Sequence, residues 1–163
     1  MSEEGKSVGE TSLTMVVQMN PEDANPVGNV HGGVIMKYVD TAAGAVAIRH
    51  ARRNCVTASI DRLDFHHPVF VGDLLILKAS INLVGRSSIE VGVRVEAENL
   101  RTAEVRHTAS AYLTFVALDD NGRPVTVPPI VLESEEENRR NCEARVRREV
   151  RLAEKVREKG CRF

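Results

Sequence analysis

Five stretches of the chain alternate between apolar and polar residues, which is the pattern of half-buried β-strands. They cover residues 11–19, 54–65, 74–84, 89–97 and 105–118. Along residues 54–65 the apolar phase shifts part-way, which predicts a bulge or bend in that strand. Because short turns join the last three stretches, the pattern favours an antiparallel sheet of about five strands over repeated βαβ units.

One segment between the first two strands has helical periodicity instead. From His31 or Gly32 onward, apolar residues recur at spacings of three and four. They are Ile35, Tyr38, Val39, Ala42, Ala43, Val46 and Ala47. The cations of residues 49–53 follow, where the negative end of a helix dipole favours positive charge. One apolar helix and five strands predict an α+β fold in which a twisted sheet wraps around the central helix.

The two ends of the chain differ from this pattern. Residues 1–10 are polar and predict a flexible tail. From Glu133 onward the chain is rich in Glu and Arg, with an apolar stripe of Cys142, Val146, Val150, Ala153 and Val156. Charge pairs at i,i+4 predict a solvated helix there, namely Glu135–Arg139, Glu136–Arg140 and Glu143–Arg147. The predicted organisation is therefore a tail over 1–10, a domain over 11–130 and a helical extension over 131–163.

We expect the charged helix to lie on its own domain or on a neighbouring subunit. RNA binding through its arginines is the less favoured interpretation, because the interleaved acids repel phosphate.

Composition narrows the class of protein. The chain has 163 residues, of which 42% are hydrophobic and 28% charged, which is typical of a single globular domain. The formal net charge of −1 gives no bias towards nucleic acid. No apolar run approaches the length of a membrane span and the start is too polar for a secretory signal, so we expect a cytoplasmic protein. Three cysteines without C-x-x-C spacing predict neither a disulfide framework nor a metal site.

Gly32, Gly33 and Asp40 carry the candidate chemistry. A glycine pair at a helix start leaves backbone N–H groups free to hold a phosphate or a developing oxyanion, although glycines also enter turns for steric reasons alone. Asp40 is either a carboxylate covered by the core, which needs a partner or a raised pKa, or an acid exposed on one helix flank. Asp40 lies about 10 Å or more beyond Gly33 along the helix, so one carbonyl cannot meet both in one chain. A shared site would need two antiparallel helices from two subunits.

At this point the chain resembles the hotdog-fold acyl-CoA thioesterases. The resemblance covers residues 11–135 and rests on Gly-Asn-Val-His-Gly-Gly-Val-Ile-Met-Lys, on Val-Asp-Thr-Ala-Ala-Gly and on Val-Thr-Ala-Ser-Ile-Asp with Asp-Phe-His. It implies a hotdog fold in which an asparagine matching Asn29 and an aspartate matching Asp40 form the catalytic pair across two hotdog units. It also implies a homodimer as the minimal active unit, assembled as a trimer of dimers.

The resemblance implies hydrolysis of fatty acyl-CoA to free fatty acid and CoA. Asn29 and the N–H of Gly32 or Gly33 would bind the thioester oxygen, and Asp40 would act as general base or nucleophile. The turn formed by Arg86, Ser87 and Ser88 resembles the place where relatives contact CoA. CoA enters as part of the substrate, so no cofactor, no metal, no nucleic acid and no membrane insertion are expected.

The resemblance to a hotdog fold leaves three alternative functions to compare with the sequence. A hydratase pattern D-x-N-x-x-H fails because Gly28 stands at the histidine position, and a dehydratase His-Phe-Pro loop is absent. The alternative that stays open is a non-catalytic acyl-CoA-binding sensing module. Turnover of acyl-CoA, as opposed to stoichiometric binding, would discriminate the two.

Overall fold

A computed structural model describes residues 4–161 of the chain. Its elements in chain order are β1 (Lys6–Ser7), α1 (Val8–Thr11), β2 (Leu13–Gln18), a 3₁₀ turn (Pro21–Asp23), α2 (Gly32–Ala51), β3 (Asn54–Phe65), β4 (Leu74–Val84), β5 (Ser88–Glu98), β6 (Val105–Leu118), β7 (Ile130–Val131) and α3 (Glu135–Gly160). No helix among the described residues is long and apolar enough to cross a membrane.

The main sheet has five antiparallel strands in the order β2-β4-β5-β6-β3. One face of the sheet is apolar and packs against α2, as strict alternation along the strands requires. The buried helix residues are Ile35, Val39, Ala42, Ala43, Val46, Ala47, His50 and Ala51. The predicted five-stranded sheet around one central helix is confirmed.

The strand β3 lies at one edge of the sheet and contains two bulges. Its pairing with β6 skips Ala58 and Asp61, which explains the shift of apolar phase predicted from the sequence. Apolar side chains remain exposed along this edge strand, namely Val56, Ile60 and Phe65. An unpaired strand edge with apolar side chains is a surface that native proteins normally cover.

The prediction of a flexible tail over residues 1–10 is wrong for the described part of that segment, while residues 1–3 lie outside the described residues. Lys6 and Ser7 pair in parallel with Ile130 and Val131. The Lys6 ammonium also donates to the backbone carbonyl of His50 in the last turn of α2. These partners are distant in sequence and satisfy a helix carbonyl, which explains why a polar segment is ordered.

The helix α3 lies on the polar outer face of the sheet. Its buried residues are Asn141 and Ala144, whereas Val146, Val150 and Val156 of the predicted stripe are exposed. Of the predicted ion pairs, Glu136–Arg140 is present. Arg139 pairs with Glu136 and Glu143, and Arg147 turns to the sheet and pairs with Glu90.

Candidate active site

Asp40 lies on a flank of α2 that faces the start of β3. The side chain is half-buried, and its Oδ1 accepts a hydrogen bond of 2.7 Å from the Thr57 hydroxyl. Thr57 precedes the skipped residue Ala58, and its strand partner Phe115 is buried on the inner face of the sheet. The sequence left two interpretations of Asp40, a carboxylate covered by the core or an acid exposed on the helix flank. The structure combines them, because the side chain is partly exposed in the single chain and also has a specific hydroxyl partner.

The N-terminus of α2 offers fewer free N–H groups than the glycine pair suggests. His31 is the N-cap, and its Nδ1 accepts the N–H of Gly33 at 2.9 Å. The N–H of Gly32 has no hydrogen bond within residues 4–161. Of the two predicted backbone donors, Gly32 is therefore open for a ligand and Gly33 is occupied by the N-cap.

The loop before α2 is held together by the side chain of Asn25. Its Oδ1 accepts the backbone N–H groups of Val27 at 3.0 Å and Asn29 at 3.2 Å. Since the side-chain oxygen accepts both hydrogen bonds, the NH₂ group of Asn25 is directed away from the loop backbone. Its Nδ2 has no partner in the described chain. Asn29 is fixed through its backbone, in a bridge with Phe70 and a hydrogen bond from Asn25 N.

A cleft of about 330 Å³ opens beside this loop. Its lining residues are Asn25, Asn29, Val30, Gly32, Ile35, Phe65, His66, His67, Pro68 and Val69. Asp40 is not among them. The cleft lies at the Phe65 end of β3, eight residues beyond Thr57, which holds Asp40. One chain thus brings the two asparagines and Gly32 together and keeps Asp40 apart from them.

Arg86, Ser87 and Ser88 lie at the turn between β4 and β5. The carbonyl groups of Arg86 and Ser87 accept backbone N–H groups from Val127 and Ala117, and the Arg86 side chain is exposed. Ser88 is opposite Val116, which is opposite Val56 beside Thr57. Two strand spacings, about 10 Å, therefore separate the start of β5 from the Asp40 end of β3.

Comparison with known proteins identifies the family. The model of the thioesterase superfamily matches residues 27–104. An uncharacterised acyl-CoA thioester hydrolase of Bacillus subtilis is 44% identical over 128 residues, which make up 78% of this chain and 74% of the relative. The chain belongs to the acyl-CoA thioester hydrolases of the thioesterase superfamily.

Solved structures of relatives share the whole fold, and the predicted hotdog architecture is confirmed. An apo hexameric acyl-CoA thioesterase has a TM-score of 0.89 at 37% identity, covering 93% of this chain and 97% of that one. The acyl-CoA hydrolase of Staphylococcus aureus, in complex with butyryl coenzyme A, coenzyme A and coenzyme A disulfide, has a TM-score of 0.88 at 35% identity, covering 95% and 94%. Variants of the Staphylococcus enzyme carry alanine in place of an aspartate, an asparagine and a threonine.

Two residues of the site were missed by sequence reasoning. The alternation of the strand could have indicated Thr57, because it lies on the same face of β3 as Cys55, which packs against the core. Asn25 had none, since its two bonds to Val27 and Asn29 depend on the shape of an irregular loop.

The adjacent histidines His66 and His67 also line the cleft together. On a strand they would face opposite sides, but β3 ends at Phe65 and both lie in the following loop. The Nδ1 of His67 donates to the carbonyl of His107, which fixes the ring. No group of three His, Cys, Asp or Glu residues in the described chain is arranged to hold a metal ion.

Proposed function

We propose that this chain hydrolyses the thioester bond of fatty acyl-CoA and releases a free fatty acid and CoA. The observation that carries the proposal is the Asp40 carboxylate on the central helix, held by the Thr57 hydroxyl at 2.7 Å and still accessible from one side. A carboxylate in this arrangement keeps one oxygen free for a water molecule or for a carbonyl carbon.

In the proposed reaction the thioester oxygen becomes an oxyanion when the carbonyl carbon is attacked. Asp40 either takes a proton from the attacking water or attacks the carbon itself. The Gly32 N–H and one side-chain amide donate hydrogen bonds to the oxyanion, which is where such donors contribute most. Collapse of the tetrahedral intermediate breaks the C–S bond and expels the CoA thiolate, which takes up a proton. With water as the nucleophile the fatty acid is released in this step. With Asp40 as the nucleophile the acyl group stays on its carboxylate as a mixed anhydride, which a water molecule then hydrolyses to release the fatty acid and restore Asp40.

The amide donor is assigned to Asn25 or to Asn29. In the Staphylococcus enzyme the replaced asparagine lies 15 residues before the replaced aspartate, and the replaced threonine lies 17 residues after it. The same intervals from Asp40 lead to Asn25 and to Thr57. The fixed Asn25 oxygen also leaves its NH₂ group free to donate. Both arguments support Asn25 over Asn29, the residue chosen from the sequence motif.

The complete site is proposed to form between two chains. The cleft with Asn25 and Gly32 lies away from Asp40 within one chain, and the apolar edge of β3 is uncovered. Pairing of two chains along β3 would cover this edge and bring the cleft of one chain to the Asp40 of the other. The hexameric relative supports an assembly of three such dimers.

The remaining expectations concern the substrate. The turn with Arg86, Ser87 and Ser88 is proposed to contact the CoA moiety, since the register places it near the Asp40 end of β3. Hydrolysis by these residues needs no cofactor beyond the CoA that belongs to the substrate. The cytoplasmic location stays a prediction from the sequence.

Release of free CoA thiol from acyl-CoAs of two to sixteen carbons tests the proposal. We expect turnover by the wild type and a decrease of about 10²-fold or more in Asp40→Asn at equal folded concentration. Stoichiometric binding of acyl-CoA without turnover would instead support the acyl-CoA-binding sensing module.

A second comparison tests the amide. We expect Asn25→Ala to lower kcat by about 10²-fold, as loss of an oxyanion donor does, and Asn29→Ala to have the smaller effect. Circular dichroism of both variants controls for the loop. The reverse order of the two effects would restore the assignment to Asn29.

A further inference from the structure

The helix α3 crosses the outer face of the sheet and contacts four of its strands through polar side chains. Near its start, Asn141 Nδ2 donates to the carbonyl of Asn82 in β4 at 2.8 Å. Two turns later Arg147 pairs with the buried Glu90 of β5 at 2.7 Å and lies over the ring of Tyr112 in β6. The last of these contacts is the ion pair between Arg151 and Asp61 in the edge strand β3. Every α3 residue from 152 to 160 is exposed.

The last of these contacts lies at a bulge. Asp61 is one of the two β3 residues that the pairing with β6 skips. Its Oδ2 accepts from Arg151 and its Oδ1 accepts from the Ser59 hydroxyl at 3.3 Å. The side chains of Arg151 and Asp61 are only 17% and 12% exposed. Arg151 reaches this bulge from α3, on the outer face of the sheet, and so restrains it in the strand that forms the sheet edge within residues 4–161.

The bulges decide which side chain of β3 faces the central helix. Thr57 points inward to Asp40, whereas Asp61 points outward to Arg151. Residues four apart share one face in a regular strand, so these two orientations require the irregular pairing at Ala58 between them. A slip of one residue in this pairing would turn Thr57 away from Asp40.

We propose that Arg151 is a positioning residue for catalysis, which acts from the C-terminal helix through the β3 bulge on the hydrogen bond between Thr57 and Asp40. The inference rests on the proposed function, in which Asp40 performs the chemistry. It gives α3 a role in the reaction although none of its residues lines the cleft.

The test compares Arg151→Ala with Arg157→Ala, which removes an exposed arginine without a described partner in the last turn of the same helix. We expect Arg151→Ala to lower kcat about tenfold, the effect of losing one hydrogen bond to a charged group, with KM for acyl-CoA unchanged. Arg151→Lys should recover most of the rate, since it keeps the charge beside Asp61. Arg157→Ala should match the wild type.

A double-mutant cycle separates positioning from general loss of stability. In a Thr57→Val background, Arg151→Ala should change kcat less than twofold, because the hydrogen bond through which it acts is already gone. An equal tenfold decrease in both backgrounds would overturn the proposal. If Arg151→Ala does not fold, Asp61→Asn in the same cycle provides the measurement.

An observation without substrate keeps this inference distinct from the proposed function. The methyl NMR resonance of Thr57 should shift in Arg151→Ala and stay in place in Arg157→Ala. A wild type without hydrolase activity would overturn the proposed function, and an unshifted Thr57 resonance would overturn the role of Arg151.

Discussion

Two inactive variants of this chain should restore activity in each other when they form mixed dimers. One chain carries Asn25→Ala and the other Asp40→Asn. In a mixed dimer, one site combines both substitutions and the other combines the intact Asn25 of one chain with the intact Asp40 of its partner. The prediction follows from the separation of the two groups within a chain.

The distance between Gly32 and Asp40 within one chain sets the hydrolysis rate expected for mixed dimers. Asp40 lies eight positions after Gly32 in α2, a distance of about 12 Å along the helix axis. A carbonyl oxygen that accepts a hydrogen bond near Gly32 lies within about 3 Å of its donor, so the Asp40 of the same chain is out of reach. Random pairing of equal amounts gives about half mixed dimers with one working site each, hence about a quarter of the wild-type rate per chain.

Co-expression with two different affinity tags allows the mixed dimers to be purified in two steps. Their CoA release should be about half that of the wild type, against about one hundredth or less for either parent dimer. The control is a dimer in which one chain carries both substitutions and the other is wild type. Each of its two shared sites then lacks either Asn25 or Asp40, so it should be as inactive as the parent dimers, whereas sites contained within one chain would leave half the activity. Mixed dimers no more active than the parents would refute a site shared between chains.

Two further predictions concern stability and thiol chemistry. Arg147→Ala leaves the carboxylate of Glu90, which is 3% exposed, without its cation, so the free energy of unfolding in urea should fall by about 3 kcal/mol, and a loss below about 1 kcal/mol would contradict this reasoning. Burial raises the pKa of the Cys55 thiol to about 11. At pH 8 iodoacetamide should therefore modify the exposed Cys142 and Cys161 well before Cys55, as followed by peptide mass mapping. Equal rates of modification at the three cysteines would contradict this prediction.

The fold could be predicted because burial on one face imposes a period on the sequence. The strands β3, β4 and β6 begin and end at the residues where their alternation does, and even the bulge in β3 was visible as a change of phase. Periodicity says nothing about partners that are distant in sequence. Arg147 has an acceptable partner four residues away in Glu143, but Glu90 across the sheet is the partner that it takes.

The site was only partly predictable for a related reason. Asp40 and Gly32 stand out as a charge and a flexible backbone at defined positions of one helix. The hydroxyl of Thr57 and the oriented amide of Asn25 gain their meaning from contacts that only the folded chain creates. Gly33 shows the opposite case, in which the sequence predicts a free donor that the fold does not leave free. Its N–H donates to the neighbouring His31 side chain and is not available to a ligand.

The uncovered edge of β3 links the assembly of the protein to its hydrolase activity. The strand whose edge is uncovered in a single chain also carries Thr57, so the same strand offers an edge for pairing and holds the partner of Asp40. If two chains share each site, the number of working sites rises with the square of concentration in dilute solution and in proportion to concentration once dimers predominate. Dilution alone would then abolish hydrolase activity although each chain stays folded.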